Sequence, residues 1–231
     1  MIDLNSLSLY KNKISSYVDD QMPLPSPKDV LILNDELIDN YTGNGISKHG
    51  SVKIDKDGIA TNFINRTDYV ITNLNILDLK LPYEFQIKFK VSNKAAFSNS
   101  NVNLISNKTY VYPYFELIIL KGKIFCSSYN SQSNGDARVL FYDSFDFNAD
   151  QWYIINMKHE QKGIYECSVY DEQYNELYNK TQNSKYEINY HSDKIILGND
   201  SDYVSGSATL QIDLSETYFK NGDTIISEWN L

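Results

Sequence analysis

The stretch Ala208-Thr-Leu-Gln-Ile-Asp-Leu214, followed by Lys220-Asn-Gly-Asp223 and Thr224-Ile-Ile-Ser227, decides the fold. Apolar and polar residues alternate through its first segment, which is the period of a strand with one face buried. Asn-Gly between two such segments is a strong hairpin signal, because both residues tolerate positive φ. Just upstream, Lys194-Ile-Ile-Leu-Gly198 is a short apolar strand, and Asn199-Asp-Ser-Asp-Tyr-Val-Ser-Gly206 is the polar loop that follows it. The chain therefore closes as antiparallel β-structure.

Working back, the same period recurs. Phe85, Ile87, Phe89 and Val91 alternate with Glu84, Gln86, Lys88 and Lys90, so one face of that strand is buried and the other wet. Val52 to Ile64 reads as a hairpin around Asp55-Lys-Asp-Gly58. Phe115 to Leu120 is almost uniformly apolar, as in a central strand covered on both faces. Val139 to Tyr142, Trp152 to Met157 and Ile164 to Tyr170 add further strands, with no convincing internal helix. Residues 1–27 differ: a loose apolar pattern ends in Met22-Pro-Leu-Pro-Ser-Pro27, whose alternating prolines favour an extended linker. The expected organisation is an arm over 1–27, for attachment or oligomerisation, and a sandwich over 28–231.

Composition narrows the function. A formal net charge of −9 repels a phosphate backbone, so nucleic acid is not an expected partner. No stretch approaches the roughly 18 apolar residues of a membrane span, and no signal peptide is visible at the N-terminus. Cys126 and Cys167 lie in strand-like alternation and are expected to be free, buried and apolar in behaviour. The 19 Tyr suit exposed sheets, subunit interfaces and sugar-binding surfaces alike.

The order of these features, from the strand at Glu84–Val91 through Tyr114–Leu120 and Gln151–Ile155 to the closing hairpin, resembles concanavalin A-like, laminin G-like domains. That resemblance implies an all-β, two-sheet antiparallel β-sandwich of jelly-roll type with a short N-terminal arm. The ending Ser207 to Leu214, followed by its hairpin, is similar to such domains in bacteriophage virion and tail proteins. It implies a virion component assembled in a bacterial cytoplasm, held to other virion proteins or identical subunits through residues 1–27.

Catalytic patterns are missing from the sequence. The glucanase branch carries Glu-X-Asp-X-X-Glu, which puts carboxylates on one strand face as nucleophile and acid; this chain has no such run. His49, His159 and His191 sit in polar or turn-rich contexts, His159 reading as a solvated strand end, and no serine lies in a nucleophile elbow. No enzymatic activity is expected. Calcium is the one cofactor the resemblance suggests, with Asp200 and Asp202 as candidate ligands and Asp55 with Asp57 behind them. Against this, Asp, Asn and Ser also build turns by bonding their own backbone. Tyr110, Tyr112 and Tyr114 alternate and line one face, and the loop from Tyr129 could close over them. Pro113 marks that segment as an edge strand, suited to a subunit interface first and a glycan second. The functional expectation is a non-enzymatic virion structural or decoration protein whose sandwich contacts host surface glycans. The alternative is a free-standing carbohydrate-binding adhesion module, with a glycoside hydrolase behind both.

Overall fold

In a computed structural model, residues 47–64, 68–93, 101–107, 114–129, 137–188, 194–198 and 210–228 are described. The proposed arm over 1–27 lies outside them. The described residues form fifteen strands: β1 Ser47–His49, β2 Lys53–Ile54, β3 Ile59–Phe63, β4 Tyr69–Asn75, β5 Tyr83–Val91, β6 Asn101–Asn107, β7 Tyr114–Leu120, β8 Lys123–Tyr129, β9 Ala137–Ser144, β10 Trp152–Gln161, β11 Ile164–Tyr170, β12 Glu176–Asn183, β13 Lys194–Gly198, β14 Leu210–Asn221 and β15 Thr224–Glu228. One sheet runs β1-β4-β13-β6-β7-β8-β9. The other runs β12-β11-β10-β5-β14-β3-β2, with β15 also paired to β14. Every pairing is antiparallel, so the chain is an all-β sandwich, as the alternation predicts.

The core lies between the sheets. From β5 it takes Tyr83, Phe85, Ile87, Phe89 and Val91, none more than 2% exposed. Phe115, Leu117 and Ile119 of β7 face them, and the rings of Phe85 and Phe115 meet edge-on at 5.7 Å. Cys126 and Cys167 are free and buried in this layer, and burial pushes both thiols up. Gly198 ends β13 at φ 91°, where a Cβ would lie 2.3 Å from the Phe63 ring. Only glycine fits there.

Three expectations change. Pro113 precedes β7, yet β7 pairs with both β6 and β8, so Tyr114 opens an interior strand rather than an edge strand. The closing hairpin turns on Gly222-Asp223, one residue later than expected, since Asn221 still pairs with Thr224. The Asn221 side chain instead accepts from Lys80 N–H at 2.8 Å and donates to the Asp78 carbonyl at 2.7 Å, tying the hairpin to the segment before β5.

His159 is the third. It is 0% exposed, not solvated, because β10 continues to Gln161 and its inward set runs Tyr153, Ile155, Met157, His159. Its ring stacks on Tyr165 at 4.1 Å and meets the edge of Tyr83 at 4.9 Å. Burial pulls the imidazole down to about 4.

The sheets are also joined along one pair of edges. The Gln182 amide of β12 accepts from Tyr142 N–H at 3.0 Å and donates to the Tyr142 carbonyl of β9 at 2.7 Å. Ser184 Oγ donates to the Val139 carbonyl, and Asp143 takes Lys180 at 2.5 Å and Tyr178 at 2.6 Å. Those two donors hold the Asp143 carboxyl at about 2.

Gln182→Ala should lower stability by about 1 kcal/mol in urea denaturation, the net worth of a satisfied hydrogen-bonding group. It should also raise self-association, because an unpaired β9 edge is a template for strand addition. The folded chain resists protonating His159 whereas the unfolded chain does not, so its contribution is complete above pH 6.5 and is lost as pH falls towards 4. Glu187 Oε2, 3.1 Å from Nε2, returns part of that loss. Wild type should therefore lose on the order of 2 kcal/mol more than His159→Gln between pH 6.5 and 4.

A polar row on the outer face of the eight-stranded sheet

The residues of β5 that point away from the core are Glu84, Gln86, Lys88 and Lys90, and strand register extends each into a row across the sheet. Gln86 lies opposite Tyr218 of β14 on one side and Asn156 of β10 on the other; Asn156 faces Ser168 of β11, and Ser168 faces Asn179 of β12. The middle row is thus hydroxyl, amide, amide, hydroxyl, amide. One row down lie Lys220, Glu84, Lys158, Glu166 and Thr181, with charges alternating in sign through Glu166. One row up are Asp213, Lys88, Ile154 and Tyr170.

Although it faces outward, the row is sheltered: Gln86, Asn156 and Ser168 are each 2% exposed and Tyr218 5%. Two local features contribute polar groups over it. Between Asp213 and Tyr218, β14 advances five residues while β5 advances two, so residues 214–217 form a wide bulge. Thr217 Oγ1 bonds the Asp213 carbonyl, and Asp213 Oδ1 accepts from the Ser215 hydroxyl at 2.6 Å. The second feature is the turn after β11, where Asp171 accepts from the backbone N–H groups of Gln173 and Asn175. Tyr174, at φ 61°, reaches from that turn to the Glu216 carboxylate.

These contacts set the electrostatics. Lys88 Nζ lies 3.1 Å from Asp213 and 3.5 Å from Glu216. Burial would lower its ammonium, but Glu216 and Asp213 outweigh burial and the shift is upward. Burial would raise Glu84, but hydrogen bonds from Tyr218 (2.7 Å) and Asn156 (2.7 Å), with Lys220 nearby, hold it down. Tyr218 and Tyr174 are pushed up by burial and by the carboxylates they bond. Trp152 adds an aromatic platform beside the rows, with Lys90 Nζ 4.8 Å and Lys88 Nζ 5.6 Å from its ring centre. Fixed donors, fixed acceptors and aromatic faces are what a polyhydroxylated ligand requires.

This is not where the sequence pointed. Tyr110, Tyr112, Asp200 and Asp202 lie outside the described residues. Tyr114 and Tyr129 are directly opposed partners on β7 and β8, in the other sheet. Asp55 Oδ1 accepts from the backbone N–H groups of Asp57 and Ile59, both at 2.9 Å, the way an aspartate builds a turn. Among the described residues no group of three or more His, Cys, Asp or Glu could hold a metal ion. The signal for the polar row was present in the alternation of β5, but its partners are set by register, which spans residues 86 to 218.

No family model matches the chain, and no curated protein matches it. Solved structures do share the fold. The botulinum neurotoxin serotype D binding domain is 16% identical with a TM-score of 0.57, over 81% of this chain and 46% of that one. The type G receptor-binding domain is 10% identical with a TM-score of 0.51, over 79% and 46%. A serotype D ligand-binding domain in complex with N-acetylneuraminic acid is 12% identical with a TM-score of 0.51, over 80% and 46%. The chain therefore spans less than half the length of these toxin domains, and at such identities the likeness is one of fold.

The Lys88 cluster gives a direct test of this geometry. Lys88→Met should destabilise the sandwich by about 3 kcal/mol in urea denaturation, because two carboxylates lose their shared cation. Asp213→Asn should cost less, since Glu216 still pairs the ammonium.

Proposed function

We propose that this chain is a non-enzymatic, lectin-like adhesion module that meets surface carbohydrate with the outer face of its eight-stranded sheet. The observation that carries this reading is the row Tyr218, Gln86, Asn156, Ser168, flanked by paired charges and by Trp152. It offers hydrogen-bonding groups in a fixed pattern. The fold is shared with receptor-binding domains of toxins, one of them bound to a sialic acid, which supports an adhesive rather than a hydrolytic role.

In its finer form the reading places the module on a bacteriophage particle, assembled in a bacterial cytoplasm, with residues 1–27 holding it to other virion proteins or to identical subunits. The support is the resemblance of its closing strands to virion and tail domains. Under the same proposal, calcium at Asp200 and Asp202 would brace the loop after β13, through the hard oxygen ligands that ion prefers.

Binding of the labelled full-length protein to bacterial surface polysaccharides, with calcium and with a chelator, tests all of this. Saturable binding is expected. Loss on chelation would support the metal at Asp200 and Asp202, whereas chelator-insensitive binding would remove it. Failure to bind a broad panel would overturn the adhesion reading. A purely structural role would remain if deletion of residues 1–27 abolished assembly.

A further inference from the structure

Two atoms in the middle row stand without donors. Gln86 Oε1 and Asn156 Oδ1 are buried and accept no hydrogen bond, and neither amide can be turned over to relieve this. The Gln86 NH2 donates to the Glu216 carbonyl at 2.9 Å and the Asn156 NH2 to the Glu84 carboxylate at 2.7 Å. Reversing either amide would set oxygen against oxygen. The two residues are directly opposed on adjacent strands, with Cα atoms about 5 Å apart. A buried acceptor without a donor costs about 1–3 kcal/mol, a cost that a bound donor removes.

Tyr174 supplies the other half of the argument. Its hydroxyl donates to the Glu216 carboxylate and also meets the Gln86 side chain. It holds the place that a ligand hydroxyl would take between an acidic acceptor and an amide. Its backbone is in the left-handed region, on a turn whose neighbours Glu172, Gln173 and Asn175 are exposed. Because Asp171 bonds the turn through Gln173 and Asn175, the phenol can rotate away with the backbone in place.

Resting on the carbohydrate-binding reading, we propose that Gln86 and Asn156 form the hydroxyl-binding centre of a site for neutral saccharides, and that Tyr174 is its displaceable cover. With the phenol swung out, the centre presents two amide acceptors, the Gln86 NH2 and the Glu216 carboxylate to neighbouring hydroxyls of one sugar. The charges select against an acidic sugar. Lys88 is committed to Asp213 and Glu216 and Lys220 lies against Glu84, while Glu84 and Glu216 flank the amides themselves. A ligand carboxylate would meet carboxylates.

Calorimetric titration of the full chain with cellohexaose, maltohexaose and mannohexaose, and with 3′-sialyllactose as the acidic probe, decides the matter. At least one neutral hexaose should bind. Tyr174→Ala should tighten it about fivefold or more, Gln86→Ala should weaken it at least tenfold, and sialyllactose should not bind. Tyr174→Phe, which keeps the ring and removes the hydroxyl, should fall between wild type and Tyr174→Ala. Equal affinity across wild type, Tyr174→Ala and Gln86→Ala overturns the proposal, as does preference for sialyllactose or no binding of any hexaose. Should Gln86→Ala fail to fold, Tyr174→Ala is decisive by itself. Polysaccharide binding that ignores all these substitutions would sink this site and leave the adhesion reading standing.

Discussion

Strand β5 is hydrogen-bonded along both edges, to β10 and to β14, and side chains alternate along it with period two. A one-residue slip in either pairing would carry Phe85, Ile87 and Phe89 to the outside of the sandwich and bring Glu84, Gln86 and Lys88 into its core. The register is therefore fixed by burial. Once fixed, it dictates which residues of β10, β11, β12 and β14 share the outer face. Core and candidate site are two faces of one constraint, and a substitution that loosened the aromatic layer would also misalign the polar row.

This explains what could be read from the chain alone. β5 announces itself because its alternation is complete, and β7, β10 and β11 do so because their inward sets are apolar. β12 does not: Glu-Leu-Tyr-Asn-Lys-Thr-Gln-Asn has almost no buried face, and it is a strand because β11 offers it a ladder and β9 accepts its side chains. Tertiary context overrides propensity at such an edge. His159 departs from the sequence expectation for a related reason. Its polar neighbours Lys158 and Glu160 suggested water, while the period of the strand places it inward with Met157. The polar row escaped the sequence because its members lie on five strands, brought together by register and by no local spacing.

The edges are managed with the same economy. β9 and β12 end their respective sheets, and each could template a further strand. Gln182 closes both at one point by presenting an amide to the Tyr142 N–H and carbonyl, a side-chain imitation of strand pairing that also binds sheet to sheet. Asp143, with Lys180 and Tyr178, adds charge next to it. The join lies beside the candidate face, so the outer edge of that face is anchored and not left to twist.

The likeness to toxin receptor-binding domains sets the fold in context but cannot supply a ligand, because it covers less than half of each toxin domain and little of the sequence agrees. What points to a ligand is unsatisfied chemistry. A sheet exposed on one face can hydrate its polar side chains, so outward amides normally need no explanation. Here Gln86 bonds the β14 bulge and meets Tyr174, Asn156 bonds Glu84, and the oxygens of both amides are left without donors. Packing alone would favour apolar residues at Gln86 and Asn156, as β10 itself uses Ile154 one row away with full burial. Two amides held at that cost, one of them against a tyrosine that leaves its oxygen without a donor, are better accounted for by something that binds them than by the stability of the sheet.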